Sequence, residues 1–409
     1  MSETKDQIII LTIYGEDKPG ITSALTEILA RFNAIILDIG QADIHQSLSL
    51  GIMFKIPEES SSSVLKELFF KAYELNVTIN FTSISAANYN AWVARQGKDR
   101  HIVTVLGRKI TAEQVSKITG EIASQGLNID SIKRLTGRMS LNVEDAEDSR
   151  ACIELSIRGT IKDRDKMHTT FMTLAADLGV DISFQKDNMY RRNRRLVCFD
   201  MDSTLINTEV IDDLAEKAGV GARVRAITES AMRGEIDFSE SFRQRIAMLK
   251  GLDVGEMEKI AQQLPIMEGA DRLMSILKKC GFKIAILSGG FTYFGNHLKR
   301  RFGIDYVYAN ELEIENGKLT GRHLGDIVDG KRKAELLKLI AQVENIELEQ
   351  VIAIGDGAND LPMLNVAGLG IAFHAKPTVK ENAKQSISTI GLDGVLYFLG
   401  FRDVHIDEK

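Results

Sequence analysis

The sequence predicts two small α+β units in tandem, followed by an open α/β domain that carries a helical insertion. Three observations set this class. The order strand, helix, strand, strand, helix, strand runs twice before residue 190 of the 409. From Leu196 onward, short and wholly apolar runs alternate with helical patterns, as parallel strands buried on both faces do. The polar clusters of this second half stand at the carboxyl ends of those runs, where open α/β sheets gather their chemistry.

The first unit opens on a β-branched run at 8–13 and the loop Asp17-Lys18-Pro19-Gly20. A helix follows over 21–32, with Ile21, Leu25, Ile28, Leu29 and Phe32 on one face. Strands at 33–39 and 48–56, a helix at 64–75 and an alternating strand at 77–81 complete it. The second unit repeats the order with strands at 101–106, 128–133, 152–158 and 180–184 and helices at 112–124 and 166–178. The copies share a fragment: Ala72, Leu75, Val77, Ile79 and Phe81 match Ala175, Leu178, Val180, Ile182 and Phe184. This is a duplication, with an acidic loop at 143–148 inserted in the second copy. Arg191, Arg192, Arg194 and Arg195 mark a connector at 187–195, expected to be a solvated hinge.

In the last part, 196–199 reads as a buried strand that ends in Asp200-Met201-Asp202-Ser203-Thr204. Residues 207–267 are mainly helical. A strand at 282–287 ends in Ser288-Gly289-Gly290, and 311–320 reads as a hairpin around Asn316-Gly317. A strand at 351–354 ends in Gly355-Asp356-Gly357-Ala358-Asn359-Asp360, and 369–373 is a further strand. Asp200 and Asp202 alternate along an extended backbone and can face one way, so one can bind a metal and attack while the other handles protons. A calcium loop is excluded, because its sixth position, where glycine is needed, is Leu205 and its twelfth, where glutamate is needed, is Ile211.

Composition narrows the class further. A formal net charge of -6 speaks against nucleic-acid binding. Cys152, Cys198 and Cys280 are too widely spaced for a zinc site or a disulfide frame and fit a reducing compartment. No apolar run reaches the roughly 20 residues that span a bilayer, and no signal-peptide core follows the N-terminus. A cytoplasmic protein without membrane or nucleic-acid partners is expected.

Two resemblances sharpen these expectations. The repeated units, the first with Asp17-Lys-Pro-Gly20 before its first helix, resemble ACT domains. That resemblance implies an amino-acid effector at Asp17 and Gly20, serine being the obvious candidate, and a homodimer paired through these units. The second copy has Gly107-Arg-Lys-Ile-Thr111 there, without the motif. The three polar strand ends, in this order, resemble the haloacid-dehalogenase superfamily, and Asp200-x-Asp-x-Thr-x-x-x-x-Glu209 resembles its phosphoserine phosphatases in particular. This implies a three-layer Rossmann-like domain with a helical cap at about 208–270 and the division 1–90, 97–186, 187–195 and 196–409.

The same resemblance implies Mg²⁺-dependent hydrolysis of L-3-phosphoserine, the last step of serine biosynthesis. Asp200 would be the nucleophile and Asp202 the general acid and base. Mg²⁺ would be held by Asp200, Asp356 and the carbonyl of Asp202, with Asp360 in support. Ser288, the Gly289 N–H, Asn359 and a lysine ammonium would bind the phosphoryl oxygens. Lys333, four residues after Asp329 and placed ahead of a helix, fits that lysine better than Lys331. Glu209 would meet the substrate ammonium, Arg245 its carboxylate, and Met232 and Phe238 would shield the site. Alternatives are transfer of the phosphoryl group to another hydroxyl compound, or an amino-acid sensor that does not turn over.

Overall fold

The computed structural model describes residues 6–94, 99–138 and 149–406. It divides into two compact units, residues 1–98 and 99–409. The acidic loop at 143–148 lies outside the described residues.

The first unit contains β1 (Asp6–Glu16), α1 (Ile21–Arg31), β2 (Ile35–Ile44), β3 (Ser47–Pro57), α2 (Glu58–Leu75), β4 (Val77–Ile84) and α3 (Ala86–Ala94). Its four strands form an antiparallel sheet in the order β2-β3-β1-β4. Leu11 and Ile13 of β1 and Leu50, Ile52 and Phe54 of β3 meet Leu25 and Ile28 of α1 and Val64 and Leu68 of α2 in one core. The alternation of β1 and β3 thus buries one face against both helices, while β2 stays exposed along its length. The helix α3 continues the chain past the repeat, where the sequence reading placed no element.

The second unit begins with β5 (Arg100–Gly107), α4 (Ala112–Ser124), β6 (Asn128–Arg134), β7 (Ala151–Arg158), α5 (Arg164–Leu178) and β8 (Asp181–Lys186). Its sheet order, β6-β7-β5-β8, is that of the first copy, which is the structural form of the duplication. The edge strand β8 faces the C-terminal domain, where the Asp181 carboxylate accepts from the Ser388 and Thr389 N–H groups at 2.8 and 3.0 Å. Leu106, Leu135 and Cys152 of this copy join the core of the C-terminal domain itself. The connector is mostly exposed, Arg192, Asn193 and Arg195 among it, but one of its arginines is enclosed. Arg191 is 3% exposed and pairs with Glu154 at 2.5 Å, because the two domains close over it.

The C-terminal domain starts with β9 (Leu196–Phe199) and the inserted helices α6 (Val210–Lys217), α7 (Gly221–Met232), α8 (Phe238–Met248) and α9 (Val254–Gln262), the expected cap. Then come α10 (Ala270–Lys279), β10 (Lys283–Phe291), α11 (Thr292–Phe302), β11 (Tyr306–Glu315), β12 (Lys318–Leu324), α12 (Gly330–Val343), β13 (Val351–Gly355) and α13 (Leu361–Val366). β14 (Leu369–Phe373), α14 (Pro377–Asn382), β15 (Gln385–Ile387), α15 (Gly394–Phe398) and α16 (Asp403–Ile406) complete it. The strands form one sheet in the order β12-β11-β10-β9-β13-β14-β15. β9 is central and parallel to both β10 and β13, with Leu196 level with Lys283 and Val351. Val197, Phe199, Ile284 and Ile286 face one core, while Leu196, Cys198, Ala285 and Leu287 face the other. That period of two puts helices on both faces, which is the three-layer arrangement.

The hairpin opens at Glu311, where the sequence places it, but the strand that feeds it begins earlier, at Tyr306. Tyr306–Tyr308 first pair parallel with Ala285–Leu287, and only from Glu311 does the strand turn to β12. The cap leaves and returns through a short pair: the Asn207 N–H donates to the Pro265 carbonyl at 2.8 Å and the Met267 N–H to the Leu205 carbonyl at 3.0 Å. Among the described residues, no helix is long and apolar enough to cross a membrane.

Candidate active site

The shared register of β9, β10 and β13 brings their carboxyl ends to one level, so Asp200, Ser288 and Asp356 meet over the centre of the sheet. Asp200 is held as a continuation of the strand, its N–H donating to the Ile354 carbonyl at 2.8 Å. The chain then turns at Ser203, whose φ of 56° is a left-handed conformation that L-residues other than glycine, asparagine and aspartate seldom take. The turn lets the Leu205 N–H reach the Met201 carbonyl at 2.9 Å and aims the buried Thr204 hydroxyl at Asp356, 3.1 Å away. The Asp202 carboxylate accepts from the Val210 N–H at 3.1 Å, at the start of the cap.

Opposite Asp200 stands Lys333. Its side chain is wholly buried, with Nζ 2.9 Å from Asp200 Oδ2 and 2.7 Å from Asp360 Oδ1. Lys333 does not precede its helix; it lies in the first turn of α12, its N–H donating to the carbonyl of Asp329, the residue that caps the helix. Four residues along a helix make one turn, which rotates Lys333 inward and leaves Lys331 exposed. Asp360 is locked from its other side by the Gly357 N–H at 2.9 Å. Asn359 sits beside it, half-buried, in the same short turn.

The carboxyl end of β10 completes the floor. Ser288 Oγ accepts from the Gly290 N–H at 2.9 Å. Asn310, 1% exposed, donates to the Gly289 carbonyl and accepts from the Val328 N–H, both at 2.8 Å. One buried amide therefore spaces the Ser288–Gly289 loop from the segment that leads into Lys333. A Cβ on Gly290 would run into the Asp202 carboxylate and come within 2.8 Å of the Met201 methyl. Only glycine lets this strand pass so close to Asp202.

Crowding sets the charges. Burial, followed by the charge of Asp200, pushes Asp356 up to about 8 and Asp360 up to about 7. Burial again, then Glu209 and Asp200, holds Asp202 well above the usual carboxylate range. Burial disfavours the Lys333 ammonium, but Asp200 and Asp360 outweigh it and keep that charge firmly in place. Asp200, Asp356 and Asp360 offer oxygens within 4.8 Å of one another. Carboxylates gathered this closely suit a hard divalent cation, which would relieve their repulsion.

The cap covers this floor. The Phe238 ring lies over Gly289, where an added Cβ would meet it at 2.9 Å, and Phe238 stacks on Phe242 behind it. Glu209 accepts from Ser203 Oγ at 2.8 Å. Burial and the charges of Asp200 and Asp212 raise its pKa, against Ser203 and Arg245. Arg245, half-buried on α8, feels the charges of Glu209, Asp212 and Asp202 from within the same space. Met232 ends α7, and its side chain lies outside the described residues. In the first unit Gly20 takes φ 93° and starts α1 without a side-chain cap, while the Asp17 N–H bonds the Gln46 carbonyl at 2.8 Å. In the second, Thr111 and Gln114 form a capping box that occupies the Gln114 N–H of α4 and the Thr111 N–H just before it.

Thr204, Gly290 and Asn310 are the site residues that motif reading passed over. Thr204 stood within a quoted motif and could have been assigned from it. Gly290 and Asn310 carry no local signal, since each acts on a residue far away in sequence.

Comparison with known proteins agrees with this geometry. Residues 7–82 and 99–185 each match an ACT domain, and 194–368 match the haloacid dehalogenase-like hydrolases. A phosphoserine phosphatase of Streptomyces coelicolor is 38% identical over 400 residues, covering 98% of this chain and 94% of its own. One from Mycobacterium tuberculosis is 37% identical over 396 residues, covering 96% and 93%. A crystal structure of a HAD family hydrolase from Salmonella enterica matches with a TM-score of 0.63 at 30% identity, covering 73% of this chain and 98% of that one. With two ACT domains ahead of its hydrolase domain, the chain belongs to the phosphoserine phosphatase family.

Proposed function

We propose that the protein hydrolyses L-3-phosphoserine to L-serine and phosphate through an aspartyl-phosphate on Asp200. The observation that carries this is the buried Lys333 ammonium between Asp200 and Asp360. Asp200 attacks phosphorus, the bond from phosphorus to the serine oxygen breaks, and protonated Asp202 delivers its proton to that oxygen. Asp202 then takes a proton from water as the water oxygen attacks phosphorus. The bond to Asp200 breaks, and both carboxyl groups return to their starting state. Lys333, Ser288 and the Gly289 N–H stabilise the charge that grows on the phosphoryl oxygens. Mg²⁺, held by Asp200, Asp356 and the carbonyl of Asp202, would screen the approach of the nucleophile to a dianion. Release of phosphate from L-phosphoserine, beside sugar phosphates and with or without a second hydroxyl acceptor, tests the reading. Equal turnover of sugar phosphates would overturn the substrate, and a phosphorylated acceptor would overturn hydrolysis.

Glu209 and Arg245 give the specificity: one meets the ammonium of the amino acid and the other its carboxylate. Arg245→Ala should raise the KM for phosphoserine about 100-fold, by loss of a desolvated charge-assisted pair, and leave p-nitrophenyl phosphate within about 2-fold. Asn310→Leu leaves the Gly289 carbonyl and the Val328 N–H without their partner. Each orphaned group costs roughly 1–3 kcal/mol, so thermal unfolding should shift down by several degrees and affinity for inorganic phosphate should fall with it.

The protein is cytoplasmic in this reading, as its free Cys152, Cys198 and Cys280 suit a reducing compartment. An amino acid, serine by the logic of the product, is the effector at the Asp17–Gly20 loop, where the uncapped start of α1 suits a carboxylate. A homodimer would form through the first unit, whose edge strand β2 exposes Ile35, Ile39 and Ile44.

A further inference from the structure

The loop between β5 and α4 is the second copy's counterpart of the Asp17–Gly20 loop, and it has a different occupation. Its helix start is closed by Thr111 and Gln114. From its middle, Arg108 reaches the catalytic domain and donates two hydrogen bonds to the two oxygens of Glu268, at 3.0 and 2.9 Å. The Ser149 hydroxyl steadies the Arg108 carbonyl at 2.9 Å.

Glu268 stands at the foot of the cap. Ile266 bridges to Ile206, which also bridges to Asp202, and the Met267 N–H bonds the Leu205 carbonyl. Glu268 follows at once, with its own carbonyl accepting from the Leu392 N–H at 2.7 Å. Gly391 lets that approach happen, since a Cβ there would lie 2.6 Å from the Glu268 carbonyl oxygen. The return leg of the hinge is therefore tied to the C-terminal segment by its backbone and to the second ACT domain by its side chain. The pair is 35% and 48% exposed, too open to add much stability on its own, so its consequence lies in position. Arg108 is the larger cause that holds the Glu268 carboxyl below its usual range, with Arg150 and His374 assisting.

We propose that Arg108 is a positioning residue for catalysis: by clamping Glu268 it fixes the pivot of the cap and, through residues 205–206, the placement of Asp202. The inference rests on the phosphatase reading above. In this arrangement the second copy no longer receives an effector at this loop. It serves as the fixed frame against which the cap swings.

The test uses the full-length chain with L-phosphoserine and Mg²⁺, comparing Arg108→Met, Glu268→Gln and the exchanged pair Arg108→Glu with Glu268→Arg. Each single variant should lower kcat about 3- to 10-fold while the melting temperature stays within about 2 °C, and the exchanged pair should recover kcat to within about 2-fold. Amide hydrogen exchange at residues 205–207 and 267 should quicken in the single variants, a readout independent of turnover. In Arg108→Met, kcat and amide exchange both at wild-type values would overturn the inference, whatever the exchanged pair does. A fall in kcat that merely tracks a fall in melting temperature would also overturn it. Wild-type protein that releases no phosphate would instead overturn the phosphatase reading.

Discussion

Asp200→Asn should release phosphate from L-phosphoserine at least about 10⁴-fold more slowly than the wild type, because it removes the group that forms the covalent intermediate. The substitution is nearly isosteric, and the strand that carries it is buried on both sides, so the fold should persist. Its effect on Lys333 is less obvious. That ammonium is fully buried between two carboxylates, 2.9 Å from Asp200 and 2.7 Å from Asp360. With an amide at 200, Asp360 alone must balance it, so some stability is lost along with activity. The measurement is phosphate release under saturating Mg²⁺, beside a thermal melt. A variant that keeps turnover above about one hundredth of wild type would show that another group attacks phosphorus, and the mechanism would fall.

Much of this site was legible because its chemistry coincides with strand ends. The runs at 196–199 and 351–354 are apolar throughout, as is 284–287 after Lys283, and a strand buried on both faces has no other way to look. Asp200 and Ser288 follow such runs directly, and Asp356 after a single glycine, so their convergence could be anticipated from the sheet alone. Lys333 was legible too, although its place inside the first turn of α12 was not. What stayed hidden depends on partners distant in sequence. Asn310 looks like one more polar position in the run Tyr308-Ala309-Asn310-Glu311, yet its two bonds end at residues 289 and 328. Arg191 looks like part of a solvated basic cluster until Glu154 and the neighbouring domain enclose it. β15 has three residues, Gln385–Ile387, too few for any periodicity to declare a strand.

Gly290→Ala should cut kcat about 100- to 1,000-fold while leaving the protein folded, because it displaces the general acid by a fraction of an ångström. Sequence alone treats Gly289 and Gly290 as one turn, but their side-chain spaces open on different partners. A Cβ on Gly290 enters the Asp202 carboxylate, which the Val210 N–H holds from the far side and which cannot retreat without moving the start of the cap. The Met201 methyl, 2.8 Å from the added carbon, can swing away, so the carboxylate takes the strain. Gly289→Ala points instead at the Phe238 ring, 2.9 Å away on the cap. It should hinder closure, raising KM for phosphoserine with a smaller loss of kcat. The two variants side by side separate proton transfer from closure: Gly290→Ala should slow the chemical step in a single-turnover experiment, and Gly289→Ala should not. Identical kinetics for both would mean that the loop tolerates a methyl group anywhere, and that Asp202 does not depend on this close passage for its position.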